Sequence, residues 1–493
     1  MRRALRRGGV ALAMAGALAL PLHAQGVIIR GSSSAQLVDL RPVVTDSVPF
    51  ASTDSISGTL RRTPAGVITN CLLGDRYCYF SRSAARTSLV AMMQDLDITA
   101  WGLGQGISVH AQLRGRAATG DARDLWPQAT QSFDALSAYL ELDRQALTAR
   151  VGRQWITSGL GMFNMDGADL VVRPWRWLAV EAYGGGTLIQ GLDRPLGAAA
   201  LAPVEDIPPV ERSFLAGGSV QVRPGPLGAF RVQYQREVRN DRGALYSDRL
   251  AADAEMRLGR ATVGGELTRD LAAGVFDDLA AHVGTTLGAQ VSGQLEVRHY
   301  TPYFDLWTIW GAFAPVGYDE ATARIAWTRR DARLSIGMSG GARRYNETHT
   351  GLSFLPLRND GWRAGANATA RMADAWSLEG SYNIDLGFGA STTDGDAALR
   401  WSPSDRGSLA VRGMAFQDLY EFTIGEGRVV GIGLEGRVDL TPELAVAGDA
   451  NLFRHAGKDQ PQLADWNQRR ASLRLEWRVG REPGWGLGGV HAP

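Results

Sequence analysis

The chain has 493 residues, 60 of them Gly, with 21% charged, only two Cys and a mean hydropathy of −0.14. Two cysteines cannot build a disulfide scaffold, and 45% hydrophobic residues with 14 Trp exclude disorder. The 52 basic and 51 acidic side chains nearly cancel and form no basic patch, which argues against nucleic acid.

Residues 1–24 read MRRALRRGGVALAMAGALALPLHA. Arg2, Arg3, Arg6 and Arg7 precede a short apolar run over 10–20, and Ala24 offers a small residue for cleavage. That is the layout of a secretory signal peptide, and the run is too short for a membrane helix of ~18 residues. Without those four arginines the net charge falls from +1 to −3. Export permits a disulfide, so Cys71 and Cys78 in NCLLGDRYC are expected to pair. Metal binding there would need further Cys or His, and none lies nearby. Residues 25–87 lack a clear repeat and are expected to form an N-terminal periplasmic segment with a stapled hairpin, 67–71 against 77–81. A plug in a lumen and a first barrel strand with its loop are the alternatives.

From about Leu96 onward, apolar and polar residues alternate over 8–12 positions and then a turn signal follows, which predicts strands with two unlike faces. Ile107, Val109, Ala111 and Leu113 alternate with Ser108, His110, Gln112 and Arg114. The same pattern recurs over 290–298, 362–371 and 470–479. Short turns are expected near Gln105, Arg144, Pro174, Pro224, Gly259, Gly288, Asp331, Ala373, Ser404 and Thr441. Their spacing is about 37 residues, room for two strands of roughly ten residues plus a loop. Long connections are expected at 118–132, 155–167, 187–212, 300–318, 344–359 and 454–466. The prediction is an all-β, antiparallel up-and-down transmembrane barrel of about 20–22 strands over 88–480, with a tail at 481–493.

Full charges concentrate on the polar face: Arg114, Glu141, Arg150, Glu255, Arg257, Glu296, Arg298, Arg324, Arg363, Glu379, Glu435, Arg437, Arg474 and Glu476. A ring this wide cannot be filled by side chains, so its interior is wet and these residues are expected to line a pore. The apolar face then meets lipid, and closure satisfies the backbone there. Trp101, Trp126, Trp175, Trp177, Trp376, Trp401 and Trp466 fall near predicted strand ends, as aromatic girdles do. Loop 300–318 is rich in aromatics, and Tyr303, Phe304, Trp307 and Trp310 offer a surface for sugar rings, apolar solutes or a partner. Loop 187–212 is long enough to fold inward as a constriction.

With these features the chain resembles outer-membrane porins as a class. The segment LTARVGRQWITSGLGMFNMDGADLVVRPWRWLAVEAYGG (147–185) resembles the Gly-Arg-Gln hairpin region of porins and alginate-export-type channels. The resemblance implies the bacterial outer membrane and passive diffusion of small hydrophilic solutes. The partners expected are membrane lipid, such solutes and an envelope protein, the last because a barrel sheath docking an exported protein is the alternative reading. No enzyme motif, metal-ligand spacing or covalent haem site occurs, so neither catalysis nor a cofactor is expected.

Overall fold

The computed structural model describes residues 26–480 apart from 41–42, 58–59, 72–73, 75, 84, 120–131, 189–212, 226–227, 240–242, 244, 302–316, 347–359, 388–390, 421–426 and 458–465. Strand β1 (Gly26–Leu40) is followed by a small sheet of β2 (Val43–Pro49), β3 (Asp54–Ser57), β4 (Leu60–Arg62), β5 (Ile68–Asn70) and β6 (Tyr77–Ser83). Then come β7 (Thr87–Gly104), β8 (Ile107–Ala118), β9 (Phe133–Arg144), β10 (Leu147–Ser158), β11 (Gly161–Trp175), β12 (Leu178–Thr187) and β13 (Ser213–Gly225). The wall continues through β14 (Gly228–Arg239), β15 (Leu245–Leu258), β16 (Ala261–Asp270), β17 (Val275–Thr286), β18 (Val291–Tyr300), β19 (Tyr318–Thr328) and β20 (Leu334–Tyr345). It ends with β21 (Asp360–Ala373), β22 (Trp376–Leu386), β23 (Ser391–Ser404), β24 (Gly407–Tyr420), β25 (Gly427–Thr441), β26 (Leu444–Gly457) and β27 (Trp466–Gly480).

β1 and β7 to β27 form one 22-stranded antiparallel sheet, and β1 closes it. On one side β1 pairs with β7, from Gly26↔Trp101 to Leu40↔Thr87. On its other side it pairs with β27, from Ile28↔Gly480 to Val38↔Arg470. The period-two alternation now has a direction. Leu295, Val297, Leu473 and Val479 are each more than half exposed, while the polar residues between them turn to the other face. Apolar side chains exposed along strand after strand are the signature of a lipid-facing wall, since water would penalise such a surface. The ten predicted short turns fall on one rim, together with residues 26 and 480. Trp175 and Trp177 stack at 5.3 Å on that rim, and Trp376 and Trp401 at 6.1 Å, all four at least two-fifths exposed. Such rings suit a membrane interface. Trp126 and the side chain of Trp466 lie outside the described residues.

Two expectations are corrected. The barrel begins at Gly26 rather than near residue 88, so 26–40 belong to its wall and only 43–83 stand apart. That part, β2 to β6, is a five-stranded sheet set between the end of β1 and the start of β7, at the long-loop rim. This sheet therefore lies at the rim opposite the short turns. The second correction is that 155–167 is strand, interrupted only by the tip at 159–160.

The small sheet has little apolar core. Its buried side chains are Thr53, Thr63, Thr69, Cys71 and Cys78, with Arg61 hydrogen-bonded to Thr53 Oγ1 at 2.7 Å and stacked over Phe50. Cys71 and Cys78 form a disulfide, as expected. Across the β2–β6 ladder, Arg82 donates to Asp46 at 2.6 Å and holds that carboxyl below the usual carboxylate range. A sheet this small is marginal alone, so the cross-link matters here. Closing so short a loop is worth about 2–3 kcal/mol. Replacing both cysteines by serine is expected to expose 43–83 to limited proteolysis while the barrel keeps its heat-modifiable gel migration. Protease resistance equal to the parent's would show that the sheet holds without the disulfide.

Candidate functional site: the charged inner wall and an infolded hairpin

The site starts where the wall is interrupted. The β9–β10 ladder runs from Arg144↔Leu147 to Ala138↔Arg153 and stops there, although both strands continue. Above that level β10 and β11 stay paired with each other down to Ser158↔Gly161. β11 leaves β12 at Met165↔Thr187. Residues 154–164 thus form a hairpin that departs from the wall. The bend sits at Gly152, whose φ of +129° is open to glycine but not to L side chains. A Cβ there would also meet the Ala138 carbonyl oxygen at 2.3 Å.

The hairpin folds inward and lies on the inner face of β12 to β15. Ile156, Met165 and Phe163 pack on Tyr183 of β12 and Leu215 of β13, and Met165 and Leu215 are fully buried. At the tip, the Gly159 N–H donates to Gln233 Oε1 of β14 at 2.6 Å. Arg249 of β15 donates to the Leu160 carbonyl at 3.0 Å and pairs with Asp277 at 3.2 Å. Tyr183 donates to Gln235 at 2.9 Å, and Gly217 leaves room for that phenol, since a Cβ would lie 2.5 Å from its oxygen. Met162, on the face turned away from the wall, is 65% exposed. Docking by a closed apolar contact plus two tip hydrogen bonds fixes the hairpin at one place on the inner wall.

The strand edge that β10 abandons does not go unpaired. Arg153 donates to the Ala135 carbonyl at 2.9 Å, and Asn164 Nδ2 donates to the Leu136 carbonyl at 2.7 Å. Arg153 also holds Asp166 through both carboxylate oxygens, at 2.8 and 3.0 Å. Side chains of the hairpin thus replace the missing ladder.

The predicted charged residues fall on the strand face opposite the exposed apolar side chains and mostly meet partners on neighbouring strands. Arg114 bonds Asp95 at 2.6 Å, and Arg150 bonds Glu141 at 2.6 Å with Asp169 at 3.9 Å. Arg298 holds Asp278 and lies over Tyr300. Glu435 accepts from Arg400 at 2.6 Å, while Arg437 and Arg474 converge on Glu476 at 2.7 and 2.9 Å. Arg363 bonds Glu320 at 2.7 Å. The Arg324–Glu296 pair is loose, at 4.0 Å. Glu255, Arg257 and Glu379 share this face and are exposed.

Sequence reasoning missed the densest cluster. Glu320, buried to 5% exposure, also accepts from Arg343, which reaches Asp385 at 3.2 Å and lies over Tyr318. Tyr300, Tyr318 and Tyr345 stand opposite one another across β18 to β20. Extending the alternation through 318–322 would have found Glu320. Asp277 and Asp278 were hidden for another reason. A bulge opposite Thr268 and Arg269 breaks the alternation, and these adjacent acids bond Arg249 and Arg298 on the same side of the wall. The aromatic loop residues Tyr303, Phe304, Trp307 and Trp310 lie outside the described residues, as does most of 187–212.

No family model matches the chain, and no curated protein matches it. Solved structures similar to it include Acinetobacter baumannii OccAB4, at 7% identity and TM-score 0.42, covering 94% of this chain and 100% of that one. Pseudomonas aeruginosa OpdK with vanillate is similar at 8% identity and TM-score 0.42, covering 93% and 99%. The siderophore receptor PirA of Pseudomonas aeruginosa stands at 10% identity and TM-score 0.42, covering 92% and 80%. With TM-scores below 0.5 these likenesses decide nothing about cargo, and the functional reading rests on this chain's own geometry.

Leu215→Ala tests the docking. It leaves a cavity under Ile156 and Met165 and is expected to weaken the hairpin contact by about 2–5 kcal/mol. Single channels of the variant should show added current noise from hairpin excursions, with the barrel's heat-modifiable migration kept. A noise spectrum identical to the parent's would mean that the apolar contact does not hold the hairpin.

Proposed function

We propose that the chain is an outer-membrane channel through which small hydrophilic solutes diffuse passively. The observation that supports this most is the combination of a closed, lipid-facing wall with charged rows on its inner face and one hairpin pinned against the inner face of β12 to β15. A ring of 22 strands is too wide for side chains to fill, so the interior holds water. In this reading the hairpin sets the size limit. Arg114, Glu141, Arg150, Glu255, Arg257, Glu296, Arg298, Arg324, Arg363, Glu379, Glu435, Arg437, Arg474 and Glu476 line the path, together with Glu320 and Arg343. Because most arginines are matched by a carboxylate, the wall field is nearly balanced and charge selection is weak. Transport then needs neither energy coupling nor a cofactor, and the solute follows its gradient.

Purified protein in a planar bilayer is expected to give discrete open channels whose conductance scales with KCl. A silent barrel that co-purifies with a second protein would overturn the channel and favour a docking sheath. Arg474→Glu is expected to lower anion preference at 0.1 M KCl, where screening acts over about 10 Å, and to do little at 1 M, where it acts over about 3 Å. Unchanged ion preference at both concentrations would leave Arg474 a structural role only.

A further inference from the structure

The inner wall has a second feature, remote from the hairpin. Near the short-turn rim, β16 to β21 are hollowed into a cavity of about 500 Å³. The hollow exists because Gly284, Ala326 and Gly337 occupy inward positions there, where other strands carry bulk. Its lining combines the apolar Ile325 and Met338 with polar groups of three kinds. Thr262, Ser292 and Ser339 supply hydroxyls, Gln294 and Asn367 supply amides, and Arg324 supplies the charge.

Arg324 differs from three arginines that stand on β18, β20 and β21 toward the long-loop rim. Arg298, Arg343 and Arg363 each hold a carboxylate within hydrogen-bond distance. Arg324 meets Glu296 only at 4.0 Å and keeps 52% of its side chain exposed. A loosely paired guanidinium beside a recess has donors left for a ligand. Arg260, at the turn into β16, adds a second positive charge to the same recess. Hydroxyls and amides both donate and accept, so they match a ligand with several hydroxyl groups. A planar guanidinium matches an oxyanion. The volume lies in the range of small-molecule sites.

We propose that this alcove is a binding subsite for a small polyhydroxylated anion, a sugar acid in chemical class, held through its oxyanion on Arg324 and its hydroxyls on the surrounding amides and hydroxyls. The inference rests on the channel reading for its biological meaning, yet the site binds whether or not the barrel conducts. Its place near the short-turn rim, beyond the strand ends that the hairpin crosses, makes it a station at the periplasmic end of the path.

Gluconate is the probe, with glucose and acetate as its parts. Calorimetry on the detergent-solubilised barrel is expected to show gluconate bound more tightly than either, because it alone carries both features. Arg324→Gln is expected to weaken gluconate about tenfold or more, the range for losing a charged hydrogen bond. Gly284→Val fills the recess without touching a charge, since its Cβ would meet only the Gly293 carbonyl oxygen at 3.8 Å, and is expected to weaken gluconate similarly. Arg474→Gln removes the same charge elsewhere on the wall. Equal loss in that variant would show a general field and overturn the alcove, as would equal binding of gluconate and acetate. In bilayers, gluconate is expected to interrupt the open current of the parent and not of the two alcove variants. A silent barrel that still binds gluconate refutes the channel but not the site; a conducting barrel that does not bind it refutes the site alone.

Discussion

Every backbone N–H and C=O in a lipid-facing strand must find a partner within the protein, because the hydrocarbon offers none and each unsatisfied group costs several kcal/mol. That requirement makes β1 indispensable. Without it, β7 and β27 would present two bare edges to the membrane, and β1 covers both at once. The same requirement governs how the wall can be broken. When β10 turns inward, the edge of β9 is exposed over several residues. The hairpin answers with Arg153 on the Ala135 carbonyl and Asn164 on the Leu136 carbonyl. An infolded strand is therefore possible only where the departing segment carries long or amide side chains aimed back at the edge it leaves.

This ties the sequence of the hairpin to its position. Gly152 permits the bend, Arg153 follows at once to satisfy the seam, and Ile156, Phe163 and Met165 give the folded-over face something to bury. Facing them, β12 and β13 are not polar as a pore wall would be, but present Tyr183 and Leu215. Where the hairpin lands, the wall offers this apolar patch beside Gln233 and Arg249, which hold the tip.

Much of the architecture is legible in the sequence, because alternation over 8–12 residues between turn signals is direct evidence of a two-faced strand. The ten short turns and the pairing of Cys71 with Cys78 follow from it and from the export signal. What escapes has physical causes. β1 reads GVIIRGSSSAQLVDL, and its lipid-side pattern is broken by Ser33, which faces outward beside Leu475 and is tolerated because its hydroxyl donates to Gln94 of β7. The hairpin alternates like any strand, so periodicity cannot say that its inward face packs on protein rather than water. The bulge at Asp277 puts two adjacent acids on one side, a placement that strict alternation forbids.

The charges of the inner wall pose a question of magnitude. Ion pairs in a wet lumen are worth roughly 0–1 kcal/mol each, so the ladder adds little to the stability of a barrel held by 22 strand ladders. Its effect is geometric. A guanidinium gripped by a carboxylate holds one rotamer, leaves the path clear and contributes almost no net field. An arginine whose partner stands at 4.0 Å does not, and that distance sets Arg324 apart from Arg298, Arg343 and Arg363. In a wall that is nearly neutral by pairing, the local field is set by the pairs that fail to close. Solute preference in such a wall follows the looseness of single pairs more than the count of charges.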